Sequence, residues 1–270
     1  MLKHYQNQAC PEAAELMREE AITYSVLIKI LQGECTDIFT DSENMVVCYS
    51  ASPWPVWVWC RDVEDASVVG EIARCIREEL PLEQVRACIM SEELLEKLKE
   101  TDAYFRSAER KMGLLSYRLD AICDVHYPCD GSMRLVREDE ITALTDVRHD
   151  MSMEMEGMDL SRERCEESLR TVVSRKGLFA WCNGAGEIVA LTSRGDQPPY
   201  SKIAMVYTLP GHRRKGYAIN LVHAVTETIL ADGLTPILYT DEGYAASNAC
   251  YQKIGYRQVG CLTSICGKKA

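Results

Sequence analysis

The sequence lacks a long apolar segment: none of its apolar runs approaches the roughly 20 residues that a membrane-spanning helix needs. No apolar stretch near Met1 has the length of a secretory signal. The 13 cysteines contain no Cys-x-x-Cys pair and are odd in number, which favours neither a zinc site nor a disulfide framework. We therefore expect a cytoplasmic protein with reduced, mostly buried thiols, no bound metal and no membrane contact.

The sequence also has little basic charge. Its net charge is −11, and residues 1–130 carry 13 Lys and Arg against 24 Asp and Glu, while residues 131–270 carry 17 of each. A nucleic acid would be repelled by the first half and would find only the cluster Arg213–Lys215 in the second. We therefore expect a small anionic ligand rather than a nucleic acid. The acidic half is either an ordinary solvated surface or one that attracts a cationic substrate.

One stretch of the second half joins a predicted strand to a predicted helix through a glycine-containing turn. Residues 203–209 are apolar and β-branched, as in a buried strand, and Ile219, Val222, Val225 and Ile229 recur at helical spacing. Pro210 and Gly211 end the strand. A helix that begins after Gly216 directs unpaired N–H groups and its positive dipole end at the turn, which favours a diphosphate ligand.

The motif Arg213-x-x-Gly216-x-Ala218 resembles the acyl-CoA signature of the GNAT acyltransferase superfamily. About thirty residues later, Leu238–Asp241 and Ser247–Tyr256 resemble the next strand and helix of that family, most closely in its glycine N-acyltransferase-like branch. The resemblance covers about the last 140 residues. It implies a mixed, mostly antiparallel sheet flanked by helices, with acetyl-CoA as the co-substrate.

The resemblance also assigns roles to individual residues. Tyr251 matches the position from which many family members protonate the leaving thiolate. The turn would hold the diphosphate, the strand edge would pair with the pantetheine arm, and Asn248 would lie beside that arm. The implied acyl-CoA-binding residues are Val206, Tyr207, Thr208, Arg213, Arg214, Lys215, Gly216, Tyr217, Ala218 and Asn248.

The sequence departs from the family pattern at two places. Tyr244 stands where the family often has an asparagine, and residues 201–209 lack the glutamate that several members carry on the central strand. The candidate bases are Glu154, Glu156, Asp196 and Asp241, with His212 and His223 less favoured. Cys250 is interpreted as a packing residue rather than a nucleophile, since no His or carboxylate is near it in sequence.

Two α/β domains are predicted, over residues 1–126 and 131–270, joined by the turn-rich segment 126–131. The first has a similar order of elements and suggests a degenerate copy of the second, without a CoA motif. Its predicted elements include a helix over 11–32, strands over 45–49, 56–60 and 85–90, a turn over 52–55, and a helix over 104–112. Trp57 and Trp59 share a strand face and belong either to the core or to a substrate pocket.

The Met-rich segment 151–158 lies where the family covers its acceptor, although ordinary packing explains it equally well. A hairpin of two strands at 178–182 and 187–193 should follow it, and then a loop over 195–200. The function these features predict is transfer of an acetyl group from acetyl-CoA directly to an amine of a small molecule or peptide. The alternative is an acyl-CoA-binding or sensing protein without turnover, and the oligomeric state stays open.

Overall fold

The computed structural model describes residues 1–33, 35–51, 54–80 and 87–266. The chain forms two compact units. The first consists of Met1–Ser116, Thr240–Tyr244 and Gln258–Ala270, and the second of Tyr117–Tyr239 and Ala245–Arg257. The second unit therefore includes the segment 126–131. The predicted division at this segment, and the description of residues 1–126 as a degenerate copy, remain predictions.

The first unit is a sheet with a hydrophobic core on each face. Its strands are β1 Lys3–Gln8, β2 Cys35–Thr40, β3 Met45–Tyr49, β4 Val56–Cys60, β5 Cys88–Met90, β6 Glu109–Leu119 and β12 Tyr256–Cys266. They are ordered β1-β2-β3-β4-β5-β12-β6, with antiparallel pairs from β1 to β4 and a parallel β4–β5 pair. In β3, Met45 and Val47 point into one core while Val46 and Cys48 point into the other, as the period of two requires.

Helices cover both faces of this sheet. The helices are α1 Pro11–Ala14, α2 Ser25–Leu31, α3 Ala66–Arg74, α4 Glu92–Thr101 and α5 Ala103–Ser107. Residues of α3, α4 and α5 fill one core and residues of α1 and α2 fill the other. Trp57 and Trp59 lie in the second core, 5% and 2% exposed, so they are core residues.

The single helix predicted over 11–32 is wrong. A 3-10 segment at Glu15–Glu20 contains a non-helical residue, Met17, and the chain turns before α2. In this turn the Thr23 hydroxyl lies 3.3 Å from that of Ser116. Packing in the unit overrides the helical periodicity.

The helix predicted over 104–112 is also wrong. Asp102 caps a short helix that ends at Ser107, and Glu109 already belongs to β6. β1 and β2 were not predicted. The predicted strands at 45–49 and 56–60 are confirmed. Of the predicted strand 85–90, Cys88–Met90 forms β5, while Val85 and Arg86 lie outside the described residues, as do Ser52 and Pro53 of the predicted turn.

The second unit is a sheet with helices packed on it. Its elements are β7 Ser132–Leu135, α6 Ile141–Met151, α7 Arg162–Ser174, β8 Leu178–Cys182, β9 Ile188–Gln197, β10 Tyr200–Thr208, α8 Tyr217–Ala231, β11 Thr235–Asp241 and α9 Ala245–Ile254. The strands are ordered β11-β10-β9-β8-β7, antiparallel except for the parallel β10–β11 pair, so the predicted mixed and mostly antiparallel sheet is confirmed. Residues of α6 and α7 pack on β8 and β9, and α8 lies against β8, β9 and β10.

Strands replace most of the loop that was predicted over 195–200. β9 extends to Gln197 and β10 begins at Tyr200. The Ser201 hydroxyl donates to Asp196 (2.6 Å), and Arg194 contacts both Asp196 and Asp232 (3.0 and 2.7 Å). These polar contacts let the hairpin continue beyond the apolar part of its sequence.

Candidate active site

The strand β10 separates from β11 halfway along its length. The parallel pairing ends at Ile203 and Leu238, although β10 continues to Thr208. On the other side, the register with β9 shifts between Ala204 and Tyr207, and Met205 has a left-handed φ of 55°. A β-bulge of this kind bends the strand. It leaves an open edge on β10 beyond Ile203.

Backbone groups of one predicted residue, Thr208, face this open edge. The N–H of Leu209 donates to the Val189 carbonyl of β9 (3.0 Å). Because backbone groups alternate between the two edges of a regular strand, those of Thr208 point away from β9. The Thr208 carbonyl accepts a hydrogen bond from Arg213 Nε (3.0 Å), which places Arg213 at the open edge too.

The turn after β10 leads directly into an uncapped helix. Arg213 is extended, Arg214 and Gly216 are left-handed (φ 60° and 85°), and α8 begins at Tyr217. Within the described residues, no side chain caps the start of α8. Arg214 and Lys215 are exposed and Ala218 is half-buried. The first backbone N–H groups of α8 are therefore directed at solvent beside the open edge of β10. The side chains of Arg214 and Lys215 add positive charge at the same place.

The segment predicted as a linker packs against the start of α8. A β-carbon at Gly216 would lie 2.7 Å from Cβ of Tyr127, closer than such carbons approach. Asn220 binds both backbone groups of Tyr127, accepting from its N–H (3.0 Å) and donating to its carbonyl (2.8 Å). Glycine is the residue that adopts the left-handed conformation at position 216 without strain and also leaves room for Tyr127. The segment is thus part of the wall of the site, which the sequence did not predict.

Asp130 ties the same segment to two other elements. Its carboxylate accepts from the Tyr217 hydroxyl and from the Gly184 N–H, both at 2.6 Å. The bond to Asp130 raises the pKa of Tyr217 to about 12, and the same bond lowers the pKa of Asp130. Tyr217 is therefore buried as a neutral hydrogen-bond donor, and its hydroxyl is directed at Asp130.

Replacing Asn220 with alanine should destabilise the second unit. Asn220 is 8% exposed, and its loss leaves the N–H and carbonyl of Tyr127 without their partner. We expect the free energy of unfolding, measured by urea denaturation, to fall by about 2 kcal/mol. The Asn220→Asp variant keeps the acceptor for the Tyr127 N–H but loses the donor to the Tyr127 carbonyl. Its free energy of unfolding should therefore lie between those of the wild type and Asn220→Ala. A loss below about 0.5 kcal/mol in Asn220→Ala would contradict this account of the wall.

Tyr251 lies in a buried aromatic group on α9. It is 6% exposed, and its ring centroid lies 6.4 Å from that of Tyr117 and 6.2 Å from that of Tyr256. No hydrogen bond joins its hydroxyl to another of the described residues. Burial raises the pKa of its phenol, so it holds its proton at neutral pH. Asn248 lies one turn earlier on the same helical face, half-buried.

Cys250 does not have the surroundings of a nucleophile. Burial raises the pKa of its thiol to about 11. Nucleophilic cysteines instead have a lowered pKa, because the thiolate is the reactive form. This agrees with the interpretation of Cys250 as a packing residue.

The candidate bases have different surroundings. Glu154 contacts Arg213 and Tyr207, with Oε2 2.6 Å from Arg213 Nη2 and 3.2 Å from the Tyr207 hydroxyl. Asp196 is held by Arg194 and Ser201, and these contacts lower its pKa. Asp241 accepts from the Gly243 N–H (2.8 Å) and belongs to the first unit. The side chain of Glu156 lies outside the described part of the structure.

The two histidines are not placed as bases. His223 is 4% exposed and its Nε2 donates to the Cys123 carbonyl (3.1 Å). His212 lies in the turn itself, 6.3 Å from the Tyr217 ring. Of the candidate carboxylates, Glu154 contacts Tyr207 in the part of β10 beyond Ile203, whereas Asp196 contacts Ser201 at the start of that strand.

The residues that the structure describes hold no group of three or more His, Cys, Asp or Glu side chains arranged to bind a metal ion. None of their helices combines the length and apolar character that crossing a membrane requires.

Comparison with known proteins gives a family match over part of the chain. Residues 182–263, which include β10, the turn, α8 and α9, match the family model of FR47-like proteins. No curated protein matches the chain. These comparisons do not distinguish a glycine N-acyltransferase-like branch.

Several solved structures share the fold over nearly the whole chain. A GNAT-family acetyltransferase from Colwellia psychrerythraea has a TM-score of 0.65 at 13% identity, covering 99% of this chain and 100% of that one. A GCN5-related N-acetyltransferase from Sphaerobacter thermophilus has a TM-score of 0.67 at 14% identity, covering 98% and 94%. A tandem GNAT protein from the clavulanic acid biosynthesis pathway has a TM-score of 0.58 at 12% identity, covering 98% of each chain. The chain therefore has the fold of GNAT acetyltransferases.

Proposed function

We propose that this protein is an N-acyltransferase that moves an acetyl group from acetyl-CoA directly to the amine of a small molecule or peptide. The observation that carries the proposal is the junction of an open β10 edge with an uncapped, glycine-started helix within the region that matches the FR47-like model. We further propose the glycine N-acyltransferase-like branch, on the motif at Ser247–Tyr256, and a cytoplasmic location.

Binding would use backbone groups more than side chains. The N–H groups from Arg213 to Ala218 would receive the diphosphate, with Arg214 and Lys215 adding positive charge. The strand edge at Val206–Thr208 would pair with the pantetheine arm. An N–H of this edge would also face the thioester carbonyl and stabilise the negative charge that develops on its oxygen. Asn248 would lie beside the arm.

The transfer itself would be a direct displacement. The amine nitrogen attacks the thioester carbonyl carbon, the carbon–sulfur bond breaks, and the sulfur leaves with the bonding electrons as a thiolate. Tyr251 would give its proton to that thiolate, and the proton lost by the amine would restore the phenol through solvent. Burial raises the pKa of Tyr251, so the phenol is protonated when the thiolate leaves. The same shift makes it a weaker acid, so its hydroxyl would first stabilise the thiolate as a hydrogen-bond donor and then give up its proton.

Release of free thiol from acetyl-CoA, measured with panels of amino acids, polyamines, aminoglycosides and peptides, tests this function. We expect thiol release that depends on one class of amine, with the acetylated amine found by mass spectrometry. An acyl-CoA-binding or sensing protein would bind acetyl-CoA and release no thiol with any amine. That outcome would contradict the proposed transferase.

We predict that no single carboxylate acts as a dominant base. β10 carries none, and an amine can lose its proton through ordered water. Alanine variants at Glu154, Glu156, Asp196 and Asp241 should each change turnover modestly in the thiol-release assay. A loss above about a thousandfold in one of them, with acetyl-CoA affinity intact, would identify a base and contradict this prediction.

A further inference from the structure

Glu154 connects the Met-rich segment to the turn that follows β10. It lies on the single helical turn Ser152–Glu156, which follows α6 and ends at the left-handed Gly157. Its Oε2 contacts Arg213 Nη2 at 2.6 Å and the Tyr207 hydroxyl at 3.2 Å. Residues 59 apart in sequence are therefore joined by one carboxylate.

The side chain of Arg213 lies across the open edge of β10. Its Nε donates to the Thr208 carbonyl (3.0 Å), and its guanidinium carbon lies 5.4 Å from the centroid of the Tyr207 ring. The Thr208 carbonyl belongs to the same edge that the proposed function assigns to the pantetheine arm. Arg213 therefore covers part of that edge in this conformation.

The contact between Arg213 and Glu154 is weak enough to be exchanged. The two side chains are 40% and 47% exposed. Exposed ion pairs contribute little to stability, because water screens them. A diphosphate carries more negative charge than a carboxylate and accepts the planar guanidinium through two parallel hydrogen bonds. A diphosphate at the adjacent turn would therefore compete successfully for Arg213.

We infer that Arg213 is exchanged between Glu154 and the diphosphate of acyl-CoA, so that acyl-CoA binding turns Glu154 into an anchor for the ammonium group of the acceptor. This inference rests on the proposed function. Glu154 keeps its contact with Tyr207 on β10 and is therefore held beside the strand that carries the thioester. Met153 and Met155, 50% and 41% exposed, flank it and offer apolar surface to the rest of the acceptor.

The exchange sets an order of binding. Before acyl-CoA binds, Arg213 is paired with the Glu154 carboxylate, so a cationic acceptor cannot bind to that carboxylate. Once acyl-CoA has bound, the positive charge on Arg213 is neutralised by phosphate and the carboxylate accepts a new cation. Glu154 acts here as a positioning residue, which agrees with a modest effect of its removal on turnover.

Proton uptake is a further consequence. The bond from Arg213 lowers the pKa of Glu154, and Tyr207 lowers it further. When Arg213 leaves, the pKa of Glu154 rises, so binding of acyl-CoA should take up protons at a pH near the ordinary pKa of glutamate. Among the described interactions, the Tyr207 hydroxyl faces the pair, and Asp150 acts in turn on Tyr207.

The first test is calorimetric titration with acetyl-CoA. Glu154→Gln should bind acetyl-CoA about two- to fivefold more tightly than the wild type, because the competing carboxylate is gone. In an Arg213→Gln background the same change should have no effect. Glu166→Gln, which breaks a comparable exposed ion pair with Arg170 elsewhere in the second unit, should bind as the wild type does.

Repeating the titrations near pH 5 in two buffers of different ionisation enthalpy measures the protons taken up. The wild type should take up more protons than Glu154→Gln. In the thiol-release assay, Glu154→Gln should raise KM for a cationic acceptor about tenfold and change kcat little.

These measurements distinguish a failure of the Arg213 exchange from a failure of the proposed acyltransferase function. If the wild type does not bind acetyl-CoA, the proposed function fails. If the wild type binds but Glu154→Gln binds no more tightly and takes up the same number of protons, the exchange is wrong and the proposed function stands. An unchanged acceptor KM in Glu154→Gln would contradict the role of Glu154 as an anchor.

Discussion

Removing the hydroxyl of Tyr251, in Tyr251→Phe, should lower turnover by about 10²- to 10⁴-fold and leave acetyl-CoA affinity nearly unchanged. The leaving thiolate needs a proton donor, and one positioned acid contributes about this much. The ring packs against Tyr117 and Tyr256, and phenylalanine keeps that packing. Thiol release at saturating substrates, together with calorimetric titration, measures both quantities.

Tyr256→Phe is the matched control. It removes a hydroxyl from the neighbouring ring, where the oxygen lies 2.8 Å from that of Thr226. This change should lower stability but not turnover. A Tyr251→Phe enzyme with wild-type turnover would show that Tyr251 only packs and that solvent protonates the thiolate.

The pH dependence follows from the raised pKa of Tyr251. Because burial moves the pKa upwards from its ordinary value near 10, the protonated donor persists throughout the neutral and mildly alkaline range. Loss of the Tyr251 proton should therefore not limit turnover below about pH 10. A fall in kcat centred near pH 8 that disappears in Tyr251→Phe would contradict this direction of the shift.

Gly216→Glu should abolish measurable binding of acetyl-CoA. The substitution places a carboxylate where backbone N–H groups are directed at the diphosphate, so two negative charges would share the site. Gly216 also has a left-handed φ of 85°, and a β-carbon there would meet Tyr127. Calorimetric titration, after circular dichroism has established that the variant is folded, measures the effect.

Two control variants separate charge from strain. Gly216→Ala carries the same backbone strain and β-carbon without the charge, and should lose some stability while retaining more affinity than Gly216→Glu. Gly195→Glu adds the same charge at an exposed glycine with open space around it, and should bind acetyl-CoA as the wild type does. Near-unchanged affinity in a folded Gly216→Glu variant would remove the basis of the proposed site.

The sequence predicts the centre of the second unit because local signals agree there. The apolar strand, Pro210 and Gly211, the glycine at position 216 and the helical spacing of α8 each act over a few residues, and the structure has these elements in that order. The bulge at Met205 carries no glycine and leaves no such signal. The bulge is identified in the structure by the shift in register between β9 and β10.

The first unit was less predictable because its packing overrides local preference. β1 has the polar sequence Lys3–Gln8 and is mostly exposed, so no apolar alternation marks it. β6 begins with Glu-Arg-Lys, residues that favour helices, and becomes a strand through pairing in the sheet. The pairing of these strands within the sheet cannot be derived from a single sequence.

The main features of the site that the sequence does not predict are contacts between distant segments of the chain. The packing of Tyr127 on Gly216 and the contact of Glu154 with Arg213 join residues far apart in the chain. Both involve residues that were considered for other roles, Tyr127 in a linker and Glu154 as a base. Their positions depend on the fold, whereas their residue types alone indicate only charge and polarity.

The central claim is that the turn from Arg213 to Ala218 binds the diphosphate of acyl-CoA. Calorimetric titration of the wild-type protein with acetyl-CoA and, in parallel, with S-acetyl-pantetheine tests it most directly, because the second compound has the same thioester and arm but no diphosphate. We expect saturable binding of acetyl-CoA and far weaker binding of S-acetyl-pantetheine. Equal affinities for the two compounds, or no binding of acetyl-CoA by the folded protein, would contradict the claim.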